Sequence, residues 1–286
     1  MKSYFVQKNL KQRDDVMEDF YQPFYAQLEK YVGIKLNHTK KYLVDSRLLS
    51  LARATGYEDV SSYVKKLTSS SVGAMHWQAF EAMTTNETQF YRDPSFFEAL
   101  AEVVLPQLIA VRSKERALRI YCGATSTGQE PYSVAMLLKE NFPQLDNWNI
   151  YIRAIDISEK SIEKARSGIY SPKEVERGLP DHLLRKYFSR KEDGNFEISP
   201  SIRSSVSFSR QNLLDDVLVF PRFDLIFLRN VLIYFHNDTK NRILSNIHKK
   251  IAFDHGLLIL GATESIIANP QFRMVPTGKI STYYPI

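Results

Sequence analysis

The stretch YCGATSTGQEPYS, residues 121–133, begins within an apolar run, LRIYC (118–122), and holds two glycines, several small residues and then Glu130-Pro131. A loop this small between a predicted strand and a predicted helix is either a plain turn or a cradle that brings backbone close to a ligand. It is not a P-loop, because Gln129-Glu130 follow Gly128 where Lys-Ser/Thr would be needed. Nor is it a G-x-G-x-x-G fingerprint, because Gly123 and Gly128 lie too far apart.

The chain after about residue 115 alternates short apolar runs with amphipathic stretches. The apolar runs lie at residues 118–122, 150–156, 205–211, 223–230 and 256–262. Strands that alternate with helices are typical of crossover units, so the pattern predicts a doubly wound α/β fold with a mostly parallel sheet. The tail FRMVPTGKISTYYPI predicts a hairpin around residues 276–278, added as an antiparallel pair at the edge of that sheet.

Residues 16–80 show helical spacing without a strand-like stretch. Phe20, Phe24 and Leu28 recur at helical spacing before Gly33, and two further amphipathic stretches follow. The pattern predicts a small all-helical N-terminal domain.

Composition limits the class of protein. The net charge of +6 is modest, and the first 76 residues hold 12 basic against 8 acidic residues. This excess favours an acidic partner at the N-terminal end, although a solvated helical face explains it equally well. Cys122 is the single cysteine, which excludes a disulfide framework and a cysteine-based zinc site, and we expect no metal. No apolar run approaches 18 residues, so we expect a cytoplasmic protein without membrane insertion.

Two acidic residues stand where a ligand would bind in such a sheet. Ligands lie beyond the carboxyl ends of the strands, where Asp156 ends the second run and can bind a ribose. Glu130 near a helix start disfavours a phosphate and favours a ligand with positive charge. Both residues could instead be helix caps.

Several motifs resemble those of the CheR family, the chemotaxis receptor methyltransferases. They are TTNETQFYRDPSFFEAL (84–100), STGQEPYSVAMLL (126–138), AIDISEKSIEKARSGIY (154–170), FDLIFLRNVLIYF (223–235) and GLLILGATES (256–265). The resemblance covers the chain from about residue 20 onward and implies methylation of receptor glutamates with S-adenosylmethionine, which becomes S-adenosylhomocysteine. The departures are mild: the family often has Cys at Ser126, Glu at Gln129 and GHSES in place of GATES.

The resemblance also implies domains and site residues. It divides the chain into a helical domain (1–80), a linker with a pocket helix (81–115) and a methyltransferase domain (116–286) with a β subdomain inserted at about 180–206. The implied cofactor-binding residues are Asn86, Thr88, Arg92, Gly123, Glu130, Asp156, Asn212, Leu213, Arg229 and Asn230. Taken singly, Asn86 could be a helix N-cap and Tyr234 a core aromatic.

The chemistry needs no general base, because a glutamate side chain is ionised at pH 7. Arg92 and Tyr234 are the candidate catalytic residues, since a guanidinium and a phenol can both donate hydrogen bonds to the acceptor carboxylate. Arg92 could instead pair with the carboxylate of the cofactor. We expect His182, His236, His248 and His255 at the surface.

The expected partner is the cytoplasmic helical domain of chemoreceptors, and we expect the protein to be a monomer. It would contact the receptor through Lys40 and Arg47, which lie seven residues apart on one helix. We expect no tethering to a C-terminal receptor pentapeptide, because the subdomain hairpin is short, Gly194 is its one glycine, and Pro200 would remove a ladder donor. The alternatives are a nucleic-acid methyltransferase or another protein methyltransferase on the same fold, and a non-catalytic scaffold that senses the cofactor. The first is disfavoured because RNVLIYF (229–235) lacks the Asn/Asp-Pro-Pro-aromatic motif of amino-methylating enzymes, so we expect no nucleic-acid partner.

Overall fold

A computed structural model of the chain describes residues 20–216, 221–267 and 269–286. The first four residues of the predicted helical region, 16–19, lie outside the described residues. Two compact units are present. One comprises the described residues up to Thr85 together with Tyr234–His236, and the other comprises Asn86–Ile233 and Asn237–Ile286.

The first unit is built from helices, as the spacing of its apolar residues predicts. They are α1 (20–32), α2 (Lys41–Ala54), α3 (Val60–Thr68) and α4 (Ala74–Ala82). Phe24, Leu28, Leu48 and Phe80 are fully buried and form part of its core. The Asp59 side chain caps α3 by accepting a hydrogen bond from the Ser62 amide at 2.7 Å.

A long apolar helix opens the second unit. It consists of α5 (Pro94–Ala99), a π-helical turn (Leu100–Val104) and α6 (Leu105–Val111). Among the described residues, Pro94–Val111 is the one helix whose length and hydropathy would allow a membrane crossing. Six of its large apolar side chains pack in the core of the unit, namely Phe96, Phe97, Leu100, Val104, Leu105 and Leu108.

A seven-stranded sheet forms the centre of the second unit. Its strands are β1 (Ala117–Gly123), β2 (Asn149–Asp156), β6 (Val206–Arg210), β7 (Leu225–Leu228), β8 (Leu257–Leu260), β9 (Phe272–Thr277) and β10 (Ile280–Pro285). The strand order is β6-β2-β1-β7-β8-β10-β9, and the first five strands run parallel. The apolar runs thus coincide with the five parallel strands, and the predicted fold class is confirmed.

Helices connect the strands of this sheet. They are α7 (Gln129–Asn141), α8 (Glu159–Ser167) and α12 (Asn237–His248). The predicted C-terminal hairpin is also present, because β9 and β10 pair antiparallel on either side of Gly278, and β10 pairs antiparallel with β8.

A small antiparallel sheet is inserted between β2 and β6. Its strands are β3 (Ile169–Tyr170), β4 (Phe188–Arg190) and β5 (Phe196–Ile198), in the order β3-β5-β4, accompanied by α9 (Pro172–Glu176), α10 (Asp181–Tyr187) and α11 (Pro200–Arg203). The sheet begins before residue 180, because Gly168, at φ 63°, ends α8 and turns the chain directly into β3. The predicted range of about 180–206 therefore omits one of its three strands.

His255 is not the surface residue that the sequence predicts. Its side chain is 10% exposed, and Nε2 lies 2.6 Å from Oδ1 of Asp224. The same carboxylate accepts a hydrogen bond from the Arg119 amide at 2.6 Å. Asp224 immediately precedes β7 and Arg119 lies within β1, so this network joins two neighbouring strands.

Candidate functional site

The loop between β1 and α7 has a strained backbone that is attached to the end of β2. Ala124 (φ 55°), Ser126 (φ 50°) and Gly128 (φ 92°) are all left-handed. The Thr125 amide donates to the Ile155 carbonyl at 2.9 Å, and the Ser126 amide donates to Oδ2 of Asp156 at 2.7 Å. Non-glycine residues in this region persist only when their surroundings hold them there. The loop is therefore a built structure and more than a plain turn.

The two glycines of the loop meet different requirements. A Cβ on Gly128 would lie 2.8 Å from Cβ of Ala165, and the left-handed backbone adds to the cost of any side chain there. A Cβ on Gly123 would lie 3.0 Å from side-chain atoms of Leu213 and Leu228. Gly123 thus allows the ends of β1 and β7 and the turn after β6 to approach one another.

Asp156 is buried and holds the loop in place. Its carboxylate accepts hydrogen bonds from the amides of Ser126 at 2.7 Å and Ser158 at 2.9 Å. The N-cap of α8 is Ser158, whose side chain accepts from the Ser161 amide at 3.0 Å, so Asp156 is not the cap of that helix. A carboxylate has acceptor sites for about four hydrogen bonds, so roles in the loop and in ligand binding are compatible.

Replacing Asp156 by alanine should lower the free energy of unfolding by about 2–6 kcal/mol, because two buried amides lose their acceptor at about 1–3 kcal/mol each. Urea unfolding of Asp156→Ala measures this loss, and Asp156→Asn, which keeps an acceptor oxygen, should lose less. An alanine variant as stable as the parent would contradict the structural role. Asn is consequently the substitution of choice for measuring what the charge of Asp156 contributes to cofactor affinity.

Arg229, just after β7, is the centre of a buried charge cluster. Its side chain is 1% exposed, and its guanidinium donates to Oε2 of Glu130 at 2.8 Å and to Oδ2 of Asp93 at 2.6 Å. It also donates to the Arg92 carbonyl at 3.2 Å and lies 3.8 Å from the ring centroid of Phe96. With both carboxylates ionised, one guanidinium leaves this group of three side chains with a net negative charge. Burial raises the pKa of Glu130, although Arg229 and Arg92 oppose that shift.

Asp93 was missed by the sequence reasoning, although it stands beside Arg92 in the quoted motif. Its backbone is left-handed, at φ 64°, immediately before Pro94 opens α5. This conformation is uncommon outside glycine but better tolerated by aspartate than by most residues. The adjacent Arg-Asp-Pro residues were a usable signal, because an acid in a turn before a helix is available to pair with a distant arginine.

The segment that contains Asn86, Thr88 and Arg92 is tied to the β1–α7 region at two places. The Asn86 carbonyl accepts from Oγ of Ser126 at 2.8 Å, and the Tyr91 amide donates to Oγ of Ser133 at 3.0 Å. Asn86 is exposed and is not the N-cap of α5, a position held by Asp93. Thr88 and Arg92 are half-buried, and Nη1 of Arg92 donates to the Glu87 carbonyl at 3.4 Å.

The turn after β6 contains Asn212 and Leu213. Oδ1 of Asn212 accepts a hydrogen bond from the Leu214 amide at 3.0 Å, so its carboxamide supports its own turn. Leu213 lies against the position of Gly123. Both residues therefore lie at the same edge of the sheet as the β1–α7 loop.

Asn230 and Tyr234 follow β7 but differ in environment. Asn230 is left-handed, at φ 56°, and its amide donates to Oε2 of Glu264 at 2.5 Å. Tyr234 ends a short 3₁₀ helix (Leu232–Tyr234), is 43% exposed and belongs to the first compact unit. Glu264, from the GATES motif, was missed as a single residue. Its place directly after the last parallel strand was the available signal.

Most of the predicted cofactor-binding residues thus share one edge of the sheet. Gly123, Asp156 and Arg229 stand at or directly after the carboxyl ends of their strands, and Leu213 lies in the turn after β6. Glu130 pairs with Arg229, and the Asn86 carbonyl accepts from Ser126 of the β1–α7 loop. Arg92 is near the cluster through its own carbonyl and through its effect on the pKa of Glu130. The pairing of Arg92 with Tyr234 as catalytic residues stays a prediction.

Comparisons with known proteins agree with this architecture. Residues 86–280 match the family model described as CheR methyltransferase, SAM binding domain, and residues 19–84 match CheR methyltransferase, all-alpha domain. A Pseudomonas putida protein named chemotaxis protein methyltransferase Cher2 is 38% identical over 89% of this chain and 94% of its own length. A Pseudomonas aeruginosa protein named chemotaxis protein methyltransferase 1 is 40% identical over 87% of this chain and 91% of its own.

These matches confirm the resemblance seen in the sequence, the enzyme class and the cofactor, S-adenosylmethionine. The chain therefore belongs to the CheR methyltransferase family and is an S-adenosylmethionine-dependent methyltransferase.

Proposed function

We propose that this enzyme transfers a methyl group from S-adenosylmethionine to glutamate side chains in the cytoplasmic helical domain of chemoreceptors, forming glutamyl methyl esters for sensory adaptation. The observation that carries the proposal is the net negative cluster of Arg229, Glu130 and Asp93 at the carboxyl edge of the sheet. A ligand that bears a sulfonium and an ammonium suits such a site. The acceptor is inferred from the names of the relatives, which are chemotaxis protein methyltransferases.

The side chains at this edge fit the cofactor. Among the described residues, Oγ1 of Thr125 and Nε of Arg229 are buried without a hydrogen-bond partner, which is typical of a place where a polar ligand binds. The residues that would hold the cofactor are Asn86, Thr88, Arg92, Gly123, Glu130, Asp156, Asn212, Leu213, Arg229 and Asn230. When bound, S-adenosylmethionine supplies an activated methyl group, and Asp156 suits its ribose hydroxyls.

The residues of this chain have a limited task in the reaction. The acceptor glutamate is ionised at pH 7, with a reference pKa of about 4.3, so no residue has to remove a proton from it. Arg92 and Tyr234 are assigned to orienting the acceptor carboxylate by hydrogen bonds. Alignment of the two reactants is the main source of rate, since well-oriented groups react with high effective molarity.

Cofactor affinity should fall as the pH is lowered towards the raised pKa of Glu130, because protonation removes a negative charge that favours a cationic ligand. Burial places this pKa above the ordinary value, so the loss begins at a higher pH than for an exposed glutamate. Below that pKa the affinity should fall by up to about tenfold per pH unit. Calorimetry with S-adenosylmethionine from pH 7.5 downward checks this prediction, and Glu130→Gln should flatten the profile. A parent and a Glu130→Gln variant with the same slope would exclude Glu130 as the titrating group.

Arg47, one of the two residues predicted to dock the receptor, already donates hydrogen bonds within the first unit. Its guanidinium donates to the carbonyls of Met83 and Thr84, the latter at 3.1 Å, and to Oγ1 of Thr85 at 2.8 Å. These groups follow the end of α4, where helix carbonyls lack partners within the helix, and a basic side chain satisfies them. Lys40 and Arg53 are exposed and are the basic residues of this region that we assign to an acidic receptor surface. Their contribution should weaken with salt.

Docking without the receptor's C-terminal pentapeptide remains part of the proposal, although one argument for it is wrong. Pro200 does not interrupt a ladder, because it is the first residue of α11. The hairpin between β4 and β5 is short, which supports the proposal, and Gly194 at its turn has φ 84°. Calorimetry against the pentapeptide should show no micromolar binding.

We also propose a cytoplasmic location and a monomeric state.

The decisive experiment incubates the enzyme with methyl-labelled S-adenosylmethionine and membranes that contain the chemoreceptors of its source. A base-labile label on a receptor-sized band is the expected result, since methyl esters hydrolyse in base. Receptors whose methylated glutamates are replaced by alanine form the matched control. Label that resists base, or that appears on nucleic acid, would overturn the proposed function.

A further inference from the structure

The Glu264 carboxylate accepts hydrogen bonds from four backbone amides. Oε2 accepts from Asn230 at 2.5 Å and Gly261 at 2.8 Å, while Oε1 accepts from Val231 at 2.9 Å and Ile233 at 3.3 Å. Three of these four donors belong to the loop after β7, and the fourth follows β8. Hydrogen bonds to a charged acceptor are roughly twice as strong as neutral ones.

The local backbone is built so that this carboxylate can reach both loops. β7 and β8 are parallel neighbours with Leu228 opposite Leu260, so their following loops start side by side. The Glu264 amide donates to the Gly261 carbonyl at 2.9 Å, which closes a turn and returns the side chain to the Gly261 amide. A Cβ on Gly261 would lie 2.6 Å from Oε2 of Glu264 and 2.9 Å from the Asn230 nitrogen, so only glycine fits there.

We propose that Glu264 is a positioning residue for methyl transfer. It fixes the backbone of the segment that begins at Asn230, directly after Arg229, and the inference rests on the proposed assignment of these two residues to the cofactor site. Asn230 is left-handed, and three amides of this segment, those of Asn230, Val231 and Ile233, donate to Glu264. The carboxylate therefore determines where this segment stands at the edge of the sheet.

The requirement is for a carboxylate, and an amide of the same shape does not satisfy it. Each carboxylate oxygen of Glu264 accepts hydrogen bonds from two backbone amides, so both oxygens face hydrogen-bond donors. A glutamine must point its NH₂ group at two N–H donors whichever way the amide is turned, because that group donates and cannot accept. Glu264→Gln thus removes the hydrogen-bond acceptor of two of the four amides while the volume of the side chain stays almost constant.

The test compares Glu264→Gln with Glu98→Gln, whose carboxylate is 53% exposed and pairs with Lys279 at 3.0 Å. Hydrogen exchange should show at least tenfold less protection at the Asn230, Val231 and Ile233 amides of Glu264→Gln, with β7 and β8 unchanged. Calorimetry should show affinity for S-adenosylmethionine lowered about tenfold, and kcat/KM should fall at least thirtyfold. Glu98→Gln should match the parent in all three measurements.

Glu264→Gln with parental exchange and parental cofactor affinity would overturn the proposal, as would a loss of affinity with these amides still protected. If Glu264→Gln does not fold, Gly261→Ala provides the second test, because it keeps the charge and displaces the carboxylate. A Gly261→Ala variant that also fails to fold would show that the carboxylate serves folding and would overturn the positioning role. Exchange and cofactor affinity need no acceptor protein, so they decide the role of Glu264 even if no chemoreceptor is methylated.

Discussion

Replacing Arg229 by methionine should lower the free energy of unfolding by about 3–5 kcal/mol, the cost expected when one partner of a buried ion pair is removed. The Arg229 side chain is 1% exposed, and its loss leaves Asp93 and Glu130 without the cation that pairs with both of them. Methionine fills much of the volume and keeps the contact with the Phe96 ring, so the lost charge dominates the effect. Equilibrium unfolding in urea measures the change.

Two further variants show whether the loss arises from uncompensated carboxylates. Adding Glu130→Gln and Asp93→Asn to Arg229→Met should restore much of the stability without restoring cofactor binding. Lys279→Met is the control, because Lys279 is 73% exposed and pairs with Glu98 at 3.0 Å in a surface pair that should contribute less than about 1 kcal/mol. An Arg229→Met variant within 1 kcal/mol of the parent would mean that the cluster adds little to stability.

The sheet could be predicted from the sequence because its pattern is local. Parallel strands that are buried on both faces read as continuous apolar runs, and LIFL (225–228) and LLIL (257–260) are buried at every position. The C-terminal hairpin was equally readable, since Gly278 adopts a positive φ in the turn between β9 and β10. The first strand of the small sheet was not, because two residues, Ile169–Tyr170, carry no periodicity.

The site was predictable where a residue stands at the end of a strand, and not where two distant residues meet. Asp156 is the last residue of β2 and Arg229 directly follows β7, so their place at the carboxyl edge of the sheet follows from topology. The ion pair of Arg229 with Asp93 joins residues 136 positions apart, and the hydrogen bonds of Glu264 reach back over 34 positions to Asn230. Neither spacing is periodic, so no pattern within one element indicates them.

The same limit applies to Arg47. Its spacing from Lys40 places both residues on one face of a helix, but helical spacing does not reveal what that face meets in the folded unit. The residues at the end of α4 supply carbonyl acceptors, and the Arg47 guanidinium donates hydrogen bonds to them. Charge reversal at Arg47 would therefore disturb the first compact unit, and the docking test belongs to Lys40 and Arg53.

Replacing Arg92 by alanine should lower kcat/KM for methyl transfer by about 10- to 100-fold, the value of one charge-assisted hydrogen bond of about 1.5–3 kcal/mol. Stability should change by less than about 0.5 kcal/mol, because the half-buried Arg92 side chain makes a single long hydrogen bond, 3.4 Å to the Glu87 carbonyl.

Steady-state kinetics also separate the two possible roles of Arg92. A lower kcat at constant KM assigns Arg92 to the acceptor carboxylate, whereas a higher KM for S-adenosylmethionine at constant kcat assigns it to the carboxylate of the cofactor. Arg92→Lys should recover only part of the rate, because an ammonium keeps the charge but lacks the planar fork. Exposed Arg185 provides the control, and equal kinetics for Arg92→Ala and Arg185→Ala would remove Arg92 from the site.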